Sequence, residues 1–156
     1  MAGKLIIICG LPGAGKTTHA KTLEQSLRAI RFCADDWIEA LNLNLWDEMV
    51  RAKVEALQWT LAKRFLAMEQ TILIEWGTWA KSERDALREE ARALGATVEL
   101  HFLSEPVDVL FERIQRRGAE QPVISREQLD HWGTIFNVPT EQEVALYDRF
   151  WSNKPR

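Results

Sequence analysis

Apolar residues in this chain fall into short unbroken runs, separated by stretches in which they recur every three or four positions. Leu5-Ile6-Ile7-Ile8-Cys9 is the first run, within a strand expected from Lys4 to Cys9. An unbroken run is what a strand buried on both faces of a parallel sheet requires. Ile30–Cys33, Thr71–Ile74 and Thr97–Leu103 repeat the pattern. Helix-compatible segments alternate with these runs. One spans Lys16 to about Arg28. A second runs from Trp46 to Glu69, with Met49, Val50, Val54, Leu57, Leu61, Phe65 and Met68 as its expected core stripe. A third ends at Leu94 with Gly95 as its cap, and Ser82-Glu83-Arg84-Asp85 reads as its opening capping box. Ser104-Glu105-Pro106 opens a fourth, closed at Gly118, and a second capping box, Ser125-Arg126-Glu127-Gln128, opens a fifth. Glu143–Trp151 fits either a short edge strand or a helix packed on the sheet. Strands alternating with helices predict right-handed crossovers and a parallel sheet of four or five strands. The expected architecture is a three-layer α/β/α sandwich, one domain over residues 1–156.

Gly10-Leu11-Pro12-Gly13-Ala14-Gly15-Lys16-Thr17 joins the first strand to the first helix. Gly, four residues, then Gly-Lys-Thr is the P-loop pattern, and strand–loop–helix is the context that gives the pattern meaning. The glycines let backbone N–H groups curl around an anion, and the helix N-terminus behind them adds partial positive charge. Lys16 is placed to reach the β- and γ-phosphates, with the Thr17 hydroxyl on Mg²⁺ and Thr18 beside it. The expected cofactors are therefore ATP and Mg²⁺, on a P-loop NTPase fold.

Composition narrows the partners. The formal net charge is −3, which disfavours nucleic acid as the natural partner. No apolar run approaches the ~18 residues of a membrane span, and no signal peptide precedes Lys4, so a cytoplasmic protein, monomeric or homodimeric, is expected. Cys9 and Cys33 read as buried free thiols, and His19, His101 and His131 show no ligand-like spacing. Seven tryptophans stand out; Trp37, Trp46, Trp76 and Trp79 flank strand ends or helix starts, where ligands gather.

Three further observations bear on the reaction. Asp35 and Asp36 follow the second strand, on the side of the sheet where open α/β folds bind ligands. Glu75 ends the third strand, the shape of a carboxylate that supports Mg²⁺ directly or through water, as a metal partner for Thr17. Arg113, Arg116 and Arg117 lie on one helix leading to a loop at Gly118–Val123, a candidate lid over about 113–124. An acid to take a hydroxyl proton and arginines to neutralise a transferring phosphoryl group are the parts of a phosphotransferase. Arg51 and Glu55 form an i,i+4 pair, either a solvated bridge or one turned toward an acceptor pocket.

On these residues the chain resembles the polynucleotide-kinase-like branch of P-loop kinases, small AAA-domain ATP-binding proteins. The matches are Gly10–Thr17, Asp35-Asp36-Trp37, the strand, loop and Glu83-Arg84 around 72–84, and Arg113–Gly118. The resemblance implies transfer of the ATP γ-phosphate to a hydroxyl, with Asp35 as general base and Arg113 and Arg117 as lid arginines. Asp36, Trp37, Glu75, Trp76, Trp79 and Arg84 are the expected acceptor contacts. One position departs: polynucleotide kinases carry an arginine after Asp-Asp-aromatic, and this chain has Ile38 followed by Glu39. An aromatic and acidic pocket, with Trp46, Glu39 and Asp47 contributing, suits a small sugar-like or cationic acceptor of the antibiotic-phosphotransferase type. The competing readings are a 5′-hydroxyl polynucleotide kinase and an ATP-binding regulatory or toxin-like protein with little turnover.

Overall fold

A computed structural model describes residues 2–118 and 123–154. Five strands form its sheet: β1 (Lys4–Cys9), β2 (Ile30–Phe32), β3 (Thr71–Gly77), β4 (Thr97–Phe102) and β5 (Arg149–Ser152). They run in the order β2-β3-β1-β4-β5, every neighbouring pair parallel. The helices are α1 (Lys16–Leu27), α2 (Ala34–Ala40), α3 (Glu48–Ala67), α4 (Lys81–Ala93), α5 (Val107–Arg117), α6 (Arg126–Ile135) and α7 (Glu141–Val144).

The unbroken apolar runs fill both faces of the sheet, because successive side chains point to opposite sides. Leu5, Ile7 and Cys9 face a cluster with Trp59, Ala62 and Leu66 of α3 and Leu87 and Ala91 of α4. Ile6 and Ile8 face the other layer, with Ala20 of α1, Leu110 and Ile114 of α5, and Leu129 of α6. The three-layer α/β/α sandwich is thus built, and β1 at its centre is buried from Leu5 to Cys9. Cys9 and Cys33 are free and buried, and burial pushes both thiols up to about 12.

Several boundaries differ from the sequence reading. Ser82 lies inside α4, whose N-cap is Ala80 with no side-chain cap bond. The second capping box does form: Ser125 accepts from the Gln128 N–H, and Gln128 reaches back to the Ser125 N–H. The stripe of α3 is rotated from the expected one. Val54, Gln58, Trp59, Ala62 and Leu66 are buried, while Met49, Leu57 and Met68 face out. Small Ala62 lets this face approach the sheet closely, which apolar periodicity does not weigh. Glu143–Trp151 holds both expected forms in succession, short α7 and edge strand β5. Of the lid segment, residues 119–122 lie outside the described residues. Among the described residues no helix is long and apolar enough to cross a membrane.

Candidate active site

The loop from Gly10 begins where β1 passes between its neighbours. The Gly10 N–H donates to the Gly77 carbonyl at 3.2 Å, tying the loop to the end of β3. A Cβ at Gly10 would stand 2.6 Å from the Leu103 carbonyl oxygen, so only glycine fits. Gly13 is excluded from other residues twice, by a φ of +83° and by the Leu110 carbonyl at 2.9 Å from a built Cβ. Leu11 packs on both core layers, Pro12 is half-buried, and Ala14 is buried beneath the turn. Gly15, left-handed at φ 98°, caps α1 and leaves its first N–H groups facing the loop. Lys16 Nζ donates to the Gly10 and Leu11 carbonyls, each at 2.9 Å. Burial pulls its pKa down to about 8, while Glu75 and Asp35 push it back up.

Thr17 and Glu75 meet as expected: the Thr17 hydroxyl donates to Glu75 Oε1. They are brought together because β3 lies beside β1 in the sheet. The other Glu75 oxygen accepts from Arg31 Nη1 at 2.7 Å, and Arg31 Nη2 donates to Asp36 Oδ2 at 2.6 Å. A hydroxyl and a carboxylate are hard oxygen donors of the kind Mg²⁺ takes together with phosphate oxygens and waters. Among the described residues no cluster of three or more His, Cys, Asp or Glu gathers as a full metal cage, which Mg²⁺ held partly by substrate does not need. The residues present therefore fit that ion.

On the outer side of the loop lies a cleft of about 510 Å³ lined by Ala14, Gly15, Thr18, His19, Glu105 and Arg113. Arg113 Nη1 donates to the Gly13 carbonyl at 3.2 Å and Nη2 lies 3.6 Å from Glu105. The Arg117 charge acts to lower the Lys16 pKa. Arg116 is paired instead with Glu112, one helical turn back. Of the two expected lid arginines, Arg113 thus borders the phosphate loop.

Asp35 stands in the first turn of α2 with its side chain 56% exposed, and Arg51 Nη2 donates to it at 2.5 Å. Arg51 of α3 thus pairs with Asp35 of α2, a contact the i,i+4 reading did not include. Glu55 lies nearby. Burial pushes its carboxyl up to about 7, against Arg51 and with help from Glu83 and Asp35.

The tryptophans divide into two groups. Trp37 and Trp76 lie half-buried against the core, and Trp76 Nε1 donates to buried Gln58, whose amide donates to the Cys33 carbonyl. Trp46 and Trp79 instead meet Trp132 of α6, at ring-centroid distances of 6.3 and 5.6 Å. Asp47 is spent as the N-cap of α3, accepting from Met49 and Val50, and is not a pocket acid. Glu39 is exposed on α2. Ile38 is fully buried between α2 and α3. Its side chain faces the core, so the cation beside Asp35 comes from Arg51.

Arg84 corrects the sequence reading most sharply. It is fully buried, with both Nε and Nη2 on Glu143 and its remaining donors on the Thr78, Trp79 and Asn137 carbonyls. All five guanidinium N–H groups are spent on the protein, which leaves none for an acceptor. The carbonyls it holds belong to the turn after β3. There Thr78 sits at φ 42°, a strained value for a β-branched residue, with its buried hydroxyl unpartnered.

Five residues at or near the site escaped the sequence reading. Arg31 carried no local pattern, being one arginine in a three-residue strand. Gln58 and Glu143 carried no local signal that set them apart from other polar positions. His19 and His101, which show no ligand-like spacing in the sequence, meet at 2.8 Å, and His19 stacks on Trp151 at 4.2 Å. Burial, then His101, pulls His19 down to about 4.

The model of the AAA domain family matches residues 5–139. A gluconokinase from Arabidopsis thaliana is 29% identical over 134 residues, covering 78% of this chain and 70% of that one. Among solved structures, a candidate kinase from Chloroflexus aurantiacus superposes with a TM-score of 0.78 at 22% identity, covering 97% of this chain and 88% of its own. The APS kinase of Mycobacterium tuberculosis, solved with AMPPNP and APS, gives 0.67 at 18% identity, covering 99% and 91%. These structural likenesses establish the fold.

Proposed function

We propose that this chain, which belongs to the AAA domain family as a small ATP-dependent P-loop kinase, phosphorylates a hydroxyl of a polyhydroxylated small molecule. The observation that carries the reading is the division between two neighbouring carboxylates. Glu75 is buried, with one oxygen on Thr17 and the other on Arg31. Asp35 is more than half exposed and acts electrostatically on Lys16. A committed carboxylate suits a metal, and an accessible one suits a proton.

In this reading the Gly13–Thr17 amides and Lys16 hold the triphosphate, and Thr17 and Glu75 hold Mg²⁺ directly or through water. When bound, the ion would supply neutralisation of the charge on the transferring phosphoryl group. Asp35 accepts the proton of the acceptor hydroxyl as its oxygen attacks the γ-phosphorus and the bond to ADP breaks. Arg113 and Arg117 offset charge on the phosphoryl oxygens and, with the segment that follows, exclude water. Trp46, Trp79 and Trp132 cluster with one another, and in this reading the cluster offers the aromatic surface on which a sugar-like ring or chain stacks. The gluconokinase relative favours the same acceptor class.

The test is incubation with γ-labelled ATP and a panel of sugar acids, sugars, aminoglycosides, nucleosides and 5′-hydroxyl oligonucleotides. Label on a sugar acid or sugar is expected. Label on oligonucleotides alone would overturn the acceptor assignment, and slow hydrolysis without any labelled acceptor would favour a regulatory ATP-binding role.

A further inference from the structure

We infer that Arg31 is a positioning residue: it holds Glu75 in place for the metal and ties that carboxylate to the acceptor-side helix α2. The inference rests on the reading that Thr17 and Glu75 face Mg²⁺.

Arg31 projects from β2, at the sheet edge beside β3, with its side chain 10% exposed. Its fork reaches two carboxylates on two elements, Glu75 of β3 at 2.7 Å and Asp36 of α2 at 2.6 Å. Its Nε lies 3.9 Å from Glu24 of α1 and has no hydrogen-bond partner. Burial alone would lower the Arg31 pKa, but the bonds to Glu75 and then Asp36 outweigh it and raise it.

The arrangement has a functional logic. Glu75 has a second cation close by, because Lys16 directly precedes the Thr17 whose hydroxyl bonds to Oε1. A carboxylate free to turn would pair with Lys16 and withdraw both groups from the triphosphate. Arg31 occupies the Oε2 atom, which leaves Oε1 on Thr17 and Lys16 on the loop carbonyls. The same guanidinium fixes Asp36, the residue next to Asp35. The metal side and the base side are thereby set by one planar group, which a lysine, with a single point charge, does not reproduce.

The experiment measures Mn²⁺ binding by electron paramagnetic resonance, with the full chain and a saturating non-hydrolysable ATP analogue, alongside melting temperature and steady-state kinetics. Arg31→Gln is expected to weaken Mn²⁺ by about 10- to 100-fold, the usual effect of losing a partner behind a metal ligand. Arg31→Lys, which keeps the charge and serves if the glutamine variant fails to fold, is expected to lose several-fold. Asp36→Asn frees only one arm, so Mn²⁺ affinity stays within about two-fold while the acceptor KM rises. Mn²⁺ affinity unchanged in both Arg31 variants, with Glu75→Gln weakened, overturns the role of Arg31 alone. Affinity unchanged in Glu75→Gln as well overturns the metal assignment beneath it.

Discussion

Replacing Arg84 with methionine separates a structural keystone from an acceptor contact. The change leaves the Glu143 carboxylate, 1% exposed, without its cation, and strands the Thr78, Trp79 and Asn137 carbonyls. Breaking a buried ion pair from one side costs about 3–5 kcal/mol. A domain of this size loses about 2–4 °C of melting temperature per kcal/mol. The expected fall is therefore ~10 °C, within a range of about 6–20 °C. It should appear in thermal unfolding followed by near-ultraviolet circular dichroism, which reports the tryptophan environments. A second change, Glu143→Leu in the Arg84→Met background, should recover much of the loss because it removes the orphaned charge. At a temperature where the single variant is folded, its acceptor KM should stay within about two-fold of the parent. A melting temperature within about 2 °C of the parent together with a strongly raised acceptor KM would return Arg84 to the acceptor site.

Asp35→Asn should lower kcat by about 10²–10⁴, the usual contribution of a general base, with ATP affinity by titration calorimetry nearly unchanged; transfer at the parent rate would exclude the base role. Gly13→Ala forces a Cβ against the Leu110 carbonyl at a left-handed φ, so ATP affinity should fall by at least about ten-fold, measured by equilibrium binding; unchanged affinity would show that the loop tolerates a different course. Lys16 has a pKa lowered to about 8 by burial, so its charge is present below pH 8 and lost above it. ATP affinity should decline as pH rises through about 8, with proton uptake on binding near that pH in calorimetry across several buffers. The same shift makes the folded state bind fewer protons than the unfolded one between about pH 8 and the ordinary lysine range, so this group's contribution to stability rises with pH there. A flat affinity profile from pH 6.5 to 9.5 would count against both.

The donor half of the site was legible because its signals are local. An unbroken apolar run, a glycine pattern and a helix start occupy consecutive residues, and the chemistry follows from backbone geometry. Glu75 was legible for the same reason, as an acid after an apolar strand. Side chains whose partners are distant in sequence were not. Arg84 sits in a helix next to plausible salt-bridge partners, yet its partner is Glu143, and only the fold brings them together. Arg31 joins groups from two other elements. Ser82 has a capping-box spacing, but α4 starts one residue before it and the cap position falls on Ala80. In α3, tryptophan, glutamine and alanine take the buried face over Leu57 and Met49, because close approach and hydrogen bonding to Trp76 outweigh side-chain apolarity there.

The position of Glu143 also bears on where this polypeptide tolerates being cut. The family match ends at residue 139, and a fragment designed on that boundary would carry the whole phosphate loop, Asp35, Arg113 and Arg117. It would lack the carboxylate that neutralises Arg84, and strand β5, which covers β4 and supplies Trp151 to His19. The segment that carries the recognisable motifs is therefore shorter than the segment that folds. A recombinant fragment, a split-protein junction or a fusion partner belongs beyond Asn153, whose side chain still bonds to the Ser104 backbone.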